Sequence, residues 1–148
     1  MIKAQIVAAC EEILAQRLKR IEDAMRLSRE AAEGETKSSA GDKYETTRAM
    51  MHAEMEKLAA QRDEVVKMKA ALYNVTQARS ANEVGLGSLV KTDVALYFIA
   101  IGIGRVTIGK GEVMVLSPAS PLGRLLLGKK VAEHITFNGK SQIIQEIN

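Results

Sequence analysis

Cysteine is nearly missing from this chain: Cys10 is the single one in 148 residues, so no internal disulfide can form and a reducing compartment is expected. Proline occurs twice, at Pro118 and Pro121, so no proline breaks a helix anywhere before residue 118. Aromatic residues make up 3% of the chain and tryptophan is absent, which argues against functions built on stacked bases or an aromatic cage. Long hydrophobic runs are lacking as well. The longest, VALYFIAIGIG at 94–104, is about half the length that crosses a bilayer, and no membrane partner is expected. The opening MIKAQIVAACEEILAQ turns charged before a signal-peptide core could form, so the expected location is cytoplasmic. Charge of one sign is scarce too: the net charge is +3, with 14 Lys and Arg against 13 Asp and Glu in residues 1–80, and 7 against 5 in 81–148. A protein that grips DNA by itself concentrates its basic surplus, and this one does not.

What is present is a folded composition, 47% hydrophobic and 26% charged, over a length that suits one domain or two small units. Apolar residues fall at Ile6, Cys10, Leu14, Leu18, Ile21, Met25 and Ala32, and from Leu14 onward the steps alternate between four and three, with Ser28 filling the missing place. That is a heptad seam on one continuous helix. The rhythm returns at Met51, Met55, Leu58, Val65, Met68, Leu72 and Val75, interrupted near the middle by Gln61 or Arg62. Between the two lies the small polar stretch GETKSSAGDKYET, and a helix break is expected within Gly34–Gly41. Two seams joined by a short loop bury each other by folding back into an antiparallel coiled-coil hairpin. With arms of roughly 30 residues at about 1.5 Å each, the hairpin is expected to extend on the order of 45 Å.

From Leu86 the period changes. SLVKT, ALYFIAI, RVTI, EVMVL, HITF and SQIIQEI alternate or run in short apolar blocks, which predicts five or six short strands. Between the fourth and fifth, SPASPLGRLLLGKK predicts one short helix, with Ser120 as cap, Pro121 at the first helical position, Leu125, Leu126 and Leu127 as a buried face and Gly128 as the end. Asn138-Gly139 predicts a tight hairpin. A small α+β domain follows, too distinct from the helical hairpin for that hairpin to be its core.

Several residues that could carry chemistry have a plainer reading. Cys10 lies on the helix seam, where a small core residue is expected rather than a nucleophile. His52 and Glu56, spaced i and i+4, read as a solvated helix face. GIGRVTIGKG at 102–111 lacks the spacing of a phosphate loop and reads as two strands and a turn. The basic GKK at 128–130 reads as a solvated loop or as a contact for an acidic partner surface.

The stretch SPASPLGRLLLGKKVAEHITFNGKSQIIQEI resembles the C-terminal domain of the Gre transcript-cleavage factors of bacterial RNA polymerase. Ser120, Pro121, Leu122, Leu126, Gly128, Lys129 and Val131 match that family's motif in order, while Ala132 and Glu133 stand where it usually has Gly-Asp. The resemblance implies an FKBP-like globular domain that docks at the rim of the polymerase secondary channel through Ser120, Pro121, Leu122 and Lys129. It also implies a coiled coil that enters the channel, where two acidic residues at the tip help to hold the second catalytic magnesium. A two-metal site needs extra carboxylate oxygens, and a slender acidic finger can supply them.

The tip departs from that pattern. Where the family reads Asp-Leu-Ser-Glu-Asn-Ala-Glu-Tyr, alignment on Tyr44 gives Lys37, Ser38, Ser39, Ala40, Gly41, Asp42, Lys43 and Tyr44. The acidic pair thus becomes Lys37 and Ala40, a repelling charge and a side chain without an oxygen. Glu35, Asp42 and Glu45 remain nearby. Either Glu35 or Asp42 is displaced toward the metal, or Asp42 and Glu45 form a capping box at the start of the second helix, with Ser39 able to cap one turn earlier.

The expected architecture is therefore α+β, with an antiparallel coiled-coil hairpin over 1–80 and an FKBP-like antiparallel β domain with one short helix over 84–148. The expected function is that of an accessory factor for RNA polymerase without a catalytic residue, metal or cofactor of its own, meeting nucleic acid only through the transcription complex. A monomer is expected, although exposed heptads can also pair between chains. A transcript-cleavage factor with a relocated acidic pair is the alternative. A peptidyl-prolyl isomerase is a further one, but it needs an aromatic pocket, for which this region offers Tyr97, Phe98 and Phe137.

Overall fold

The structure, a computed structural model, describes residues 2–38, 42–79 and 81–148, with side chains described at all of these except 35–38 and 42–44. Two long helices come first, α1 (Lys3–Ser38) and α2 (Asp42–Thr76), followed by six strands and one short helix. The fold class is α+β, with the two helices forming a hairpin. By contact the chain divides into two compact units, one made of Met1–Glu12 with Lys69–Asn148 and the other of Ile13–Met68.

In the second unit the heptad seam is what is hidden from water. Leu14 and Met25 of α1 are buried, as are Leu58 and Val65 of α2, while Leu18, Ile21, Met51, Met55 and Met68 are half-buried. Neither Gln61 nor Arg62, the polar interruption, is buried. A three-and-four spacing puts all these apolar groups on one face, and facing seams are the arrangement that removes them from solvent. Helix α1 continues past Gly34 to Ser38 and α2 starts at Asp42, so α1 ends within the Gly34–Gly41 stretch where the break is expected. One glycine in a long helix costs about 1 kcal/mol, less than the helical residues around it supply.

The first unit carries the sheet. Its strands are β1 (Leu89–Thr92), β2 (Leu96–Ile99), β3 (Gly104–Ile108), β4 (Gly111–Leu116), β5 (His134–Phe137) and β6 (Lys140–Ile147), in the spatial order β3-β4-β2-β1-β6-β5. Neighbours are antiparallel except β2 and β4, which run parallel with Tyr97 opposite Met114 and Ile99 opposite Leu116. That pair follows from the chain path: β3 forms the edge, and the β3–β4 hairpin brings β4 back between β3 and β2. GIGRVTIGKG is accordingly two strands and a turn. The β5–β6 hairpin turns at Asn138 and Gly139, whose φ angles of 52° and 78° are those a type I′ turn requires.

The core of this unit joins Val84, Val90, Tyr97, Ile99, Leu116, Leu126, Ile135 and Ile144, with Leu122 and Met114 packed against it. It also contains a polar knot that no sequence pattern announced. The Thr92 hydroxyl donates to Gln142 Oε1 at 2.9 Å and the Tyr97 hydroxyl donates to the same oxygen at 2.8 Å. Thr92 Oγ1 in turn accepts the N–H groups of Val94 and Ala95, each at 3.1 Å. All three side chains are buried, so the knot ties β1, β2 and β6 together at a place where unpaired groups would be costly. In the same unit, Ile6, Cys10, Leu72 and Val75 of the two helices are buried. Burial, and then the neighbouring Glu11 carboxylate, push the Cys10 thiol up to about 11. It is a core residue that stays neutral and unreactive at pH 7.

Candidate functional site

The segment from Ser117 to Glu133 builds one surface of the sheet unit. Helix α3 (Pro121–Leu126) begins because Ser120 caps it: the Ser120 hydroxyl donates to the Ser117 carbonyl at 2.7 Å and its oxygen accepts the Gly123 N–H at 3.1 Å. Pro121 fills the first helical position, where no N–H is needed. Gly123 is buried so tightly that an added Cβ would overlap the Ser117 carbonyl oxygen. Glycine is therefore required here by space, and the turn folds back directly on its own entry.

The three leucines that follow do not form one buried face. Leu126 is fully buried in the core, whereas Leu125 is 39% and Leu127 40% exposed. The reason is length: a helix of six residues can turn one side inward, and consecutive positions lie about 100° apart. Past Gly128 the loop is pinned by backbone bonds. Gly128 N–H donates to Val84 O, Val84 N–H to Lys129 O and Ala132 N–H to Ile144 O, each at 2.8 Å. Glu133 closes it, its carboxylate accepting the Lys130 N–H at 3.1 Å and standing 3.9 Å from the Lys129 ammonium.

Ala132 has a φ of +75°, a left-handed conformation that suits glycine. With the backbone held this way, Val131 is 52% exposed on the same loop as Lys129 and Lys130. The result is a rigid surface of apolar Pro121, Leu125, Leu127 and Val131 with basic Arg124, Lys129 and Lys130 among them. Exposed apolar area and positive charge of this kind can take part in association, by burial and by attraction for negative charge.

The residues expected for docking are thus not equivalent. Pro121 is exposed, and Lys129 is half-buried beside Glu133. Ser120 is engaged as the cap and Leu122 packs on the core, so both support the surface more than they present it. Nothing in the sequence marks Leu125, Leu127 and Val131 for this role, since an apolar residue in a short turn carries no sign of which way it faces. Of the tip residues, Glu35 and Lys37 lie in the last turns of α1 and Asp42 begins α2, but their side chains are outside the described atoms, and Ser39 and Ala40 are outside the described residues. The capping box and the metal contact expected there fall on the same atoms. Glu45 is exposed on α2.

His52 Nε2 lies 3.5 Å from Glu56 Oε1 on an exposed helix face, as the spacing predicts. Among the described residues no group of three or more His, Cys, Asp and Glu side chains could hold a metal ion, and no helix is long and apolar enough to cross a membrane. Tyr97 and Phe98 are buried, the first with its hydroxyl bound to Gln142.

No protein-family model matches this chain, and no curated protein matches it by sequence. Among solved structures, it is similar to the GreA factor homolog 1 (Gfh1) protein of Thermus thermophilus, with a TM-score of 0.35 and 17% identity over 93% of this chain and 93% of that one.

Proposed function

We propose that this protein is a Gre-like accessory factor of RNA polymerase, which docks through the α3 surface and inserts its helical hairpin into the secondary channel. The observation that carries the reading is Ala132. The motif running from Ser120 to Val131 calls for a glycine at the next position, and the residue found there holds the positive φ that a glycine would take. The capped turn, the Gly128 exit and the pinned loop are what such a motif is for: they hold Leu125, Leu127 and Val131 outward beside Lys129 and Lys130. In this reading the sheet unit is FKBP-like and supplies the anchor, with its basic rim meeting acidic groups of the polymerase. The tip has Lys37 and Ala40 at the two acidic positions, so the factor modulates elongation or pausing without supplying carboxylates for RNA cleavage. Occupying a route used by nucleotides, it slows the enzyme and competes with factors that do cleave.

The test uses the whole chain with core RNA polymerase. Immobilised protein retains the enzyme, and Leu127→Asp with Val131→Asp, both at exposed positions, reduces retention by about tenfold or more, since two interfacial anchors are replaced by charges. Backtracked complexes show no shortening of their RNA at any dose. Failure of the intact chain to retain polymerase removes the proposal. RNA shortening that Glu35→Ala with Asp42→Ala abolishes replaces the modulating role with a cleaving one.

A further inference from the structure

A concave site lies within the sheet unit, remote in sequence from the α3 surface. It is a half-open pocket of about 370 Å³, lined by Lys3, Ala4, Val7, Ala8 and Glu11 of α1 and by Val75, Thr76, Ala78, Gly87 and Phe98. The space exists because three of its walls stop at a methyl group, Ala4, Ala8 and Ala78, while the floor is close-packed: a Cβ on Gly87 would stand 3.1 Å from that of Ala78. Its size and apolar lining are those of a small-molecule site. Lys3 and Glu11 sit two turns apart along one face of α1, a span of about 12 Å. Neither makes an ion pair among the described residues.

These two ends are not equal. Glu11 is exposed, whereas Lys3 is half-buried against the pocket. Burial lowers the Lys3 ammonium below its ordinary range, so its charge is incompletely solvated. An exposed carboxylate keeps much of its contact with water and gains less from a cationic ligand. An under-solvated ammonium gains from an anion that arrives with its own apolar body to fill the cavity beside it.

We propose that this pocket binds a medium-chain aliphatic carboxylate, with the head group on the Lys3 ammonium and the chain lying over Ala4, Val7 and Ala8 against Phe98. The distance from Lys3 to Glu11 sets the length. A chain of about eight carbons fills the apolar floor, and a longer one meets the Glu11 carboxylate. Affinity then rises from butanoate to octanoate, by up to roughly fourfold for each methylene fully buried, and stops rising beyond it.

The experiment titrates the full-length protein with octanoate and, separately, with octylamine, following backbone amide shifts by NMR. Octanoate is expected to shift Ala8, Gly87 and Phe98 in a saturable way and to bind more tightly than octylamine. Lys3→Met, which keeps most of the stem and removes the charge, weakens octanoate roughly fivefold and leaves octylamine unchanged. Ala8→Leu, at an exposed helix position, fills the cavity and removes saturable binding. Octylamine binding as tightly as octanoate, octanoate binding that survives Ala8→Leu, or no saturable shift at those residues overturns the proposal.

Discussion

Ala132 occupies a conformation that places its Cβ too near the following carbonyl, at a cost of roughly 1 kcal/mol that glycine avoids. Around it the backbone is not free to relax, because its own N–H is bound to the Ile144 carbonyl and the next residue is tied back to Lys130. Ala132→Gly is therefore expected to stabilise the protein by a few tenths of a kcal/mol to about 1 kcal/mol, the relief of strain being partly offset by the greater freedom of glycine in the unfolded chain. A rise in the urea midpoint with an unchanged slope would show it, and a fall would mean that the loop is held differently. Thr92, Tyr97 and Gln142 illustrate the opposite case, where each residue is ordinary in sequence and the value lies in the meeting. One amide oxygen serves two hydroxyls from two strands, which no reading of a single strand could anticipate.

Among the elements, α1 is the clearest example of local preference yielding to the whole helix. Gly34 looks like a stop signal in a polar stretch, yet the helix runs on to Ser38. The neighbourhood of Gly34 is open, with nothing within 4 Å of a Cβ built there. Gly34→Ala is accordingly expected to add roughly 0.5–1 kcal/mol of helix stability without a clash, raising helical ellipticity during thermal unfolding. Destabilisation would instead indicate that this turn departs from a regular helix. Where three and four residue steps repeat over many turns, the signal is redundant and the seam was legible from Ile6 to Val75. In α3 it was not: one turn has too few residues to average over, so Leu125 and Leu127 could not be told from Leu126 until the core position of Leu126 was known. The Asn138-Gly139 hairpin was legible because the two residue types demand the backbone they receive.

At the scale of the whole molecule the two compact units differ in how well they are sealed. The sheet unit has several core side chains with no exposure at all, such as Val90, Ile99, Leu126 and Ile144. In the unit from Ile13 to Met68, Met51, Met55 and Met68 are half-buried thioethers, adaptable and weakly specifying. Native-state hydrogen exchange should therefore find amides of β1, β4 and β6 protected longer than those of residues 50–60. Equal protection would mean that the chain opens as one cooperative block. The same contrast suits the proposed function, in which a firm docking surface is joined to a hairpin that must fit a partner's interior.

The sequence alone determined the helices and their seam, a run of five or six short strands with one short helix among them, and the absence of an acidic pair at the positions anchored on Tyr44. It could do so because these depend on periodicity, on residues with special backbone demands and on identity at a position. Tertiary structure decided which leucine of α3 is inside, that β4 lies parallel to β2, that a glutamine, a threonine and a tyrosine share one buried oxygen, and that small residues leave a cavity beside Lys3. Each of these is set by residues far apart in the chain that meet only when the sheet closes, and burial is a property of that meeting and not of any residue in it.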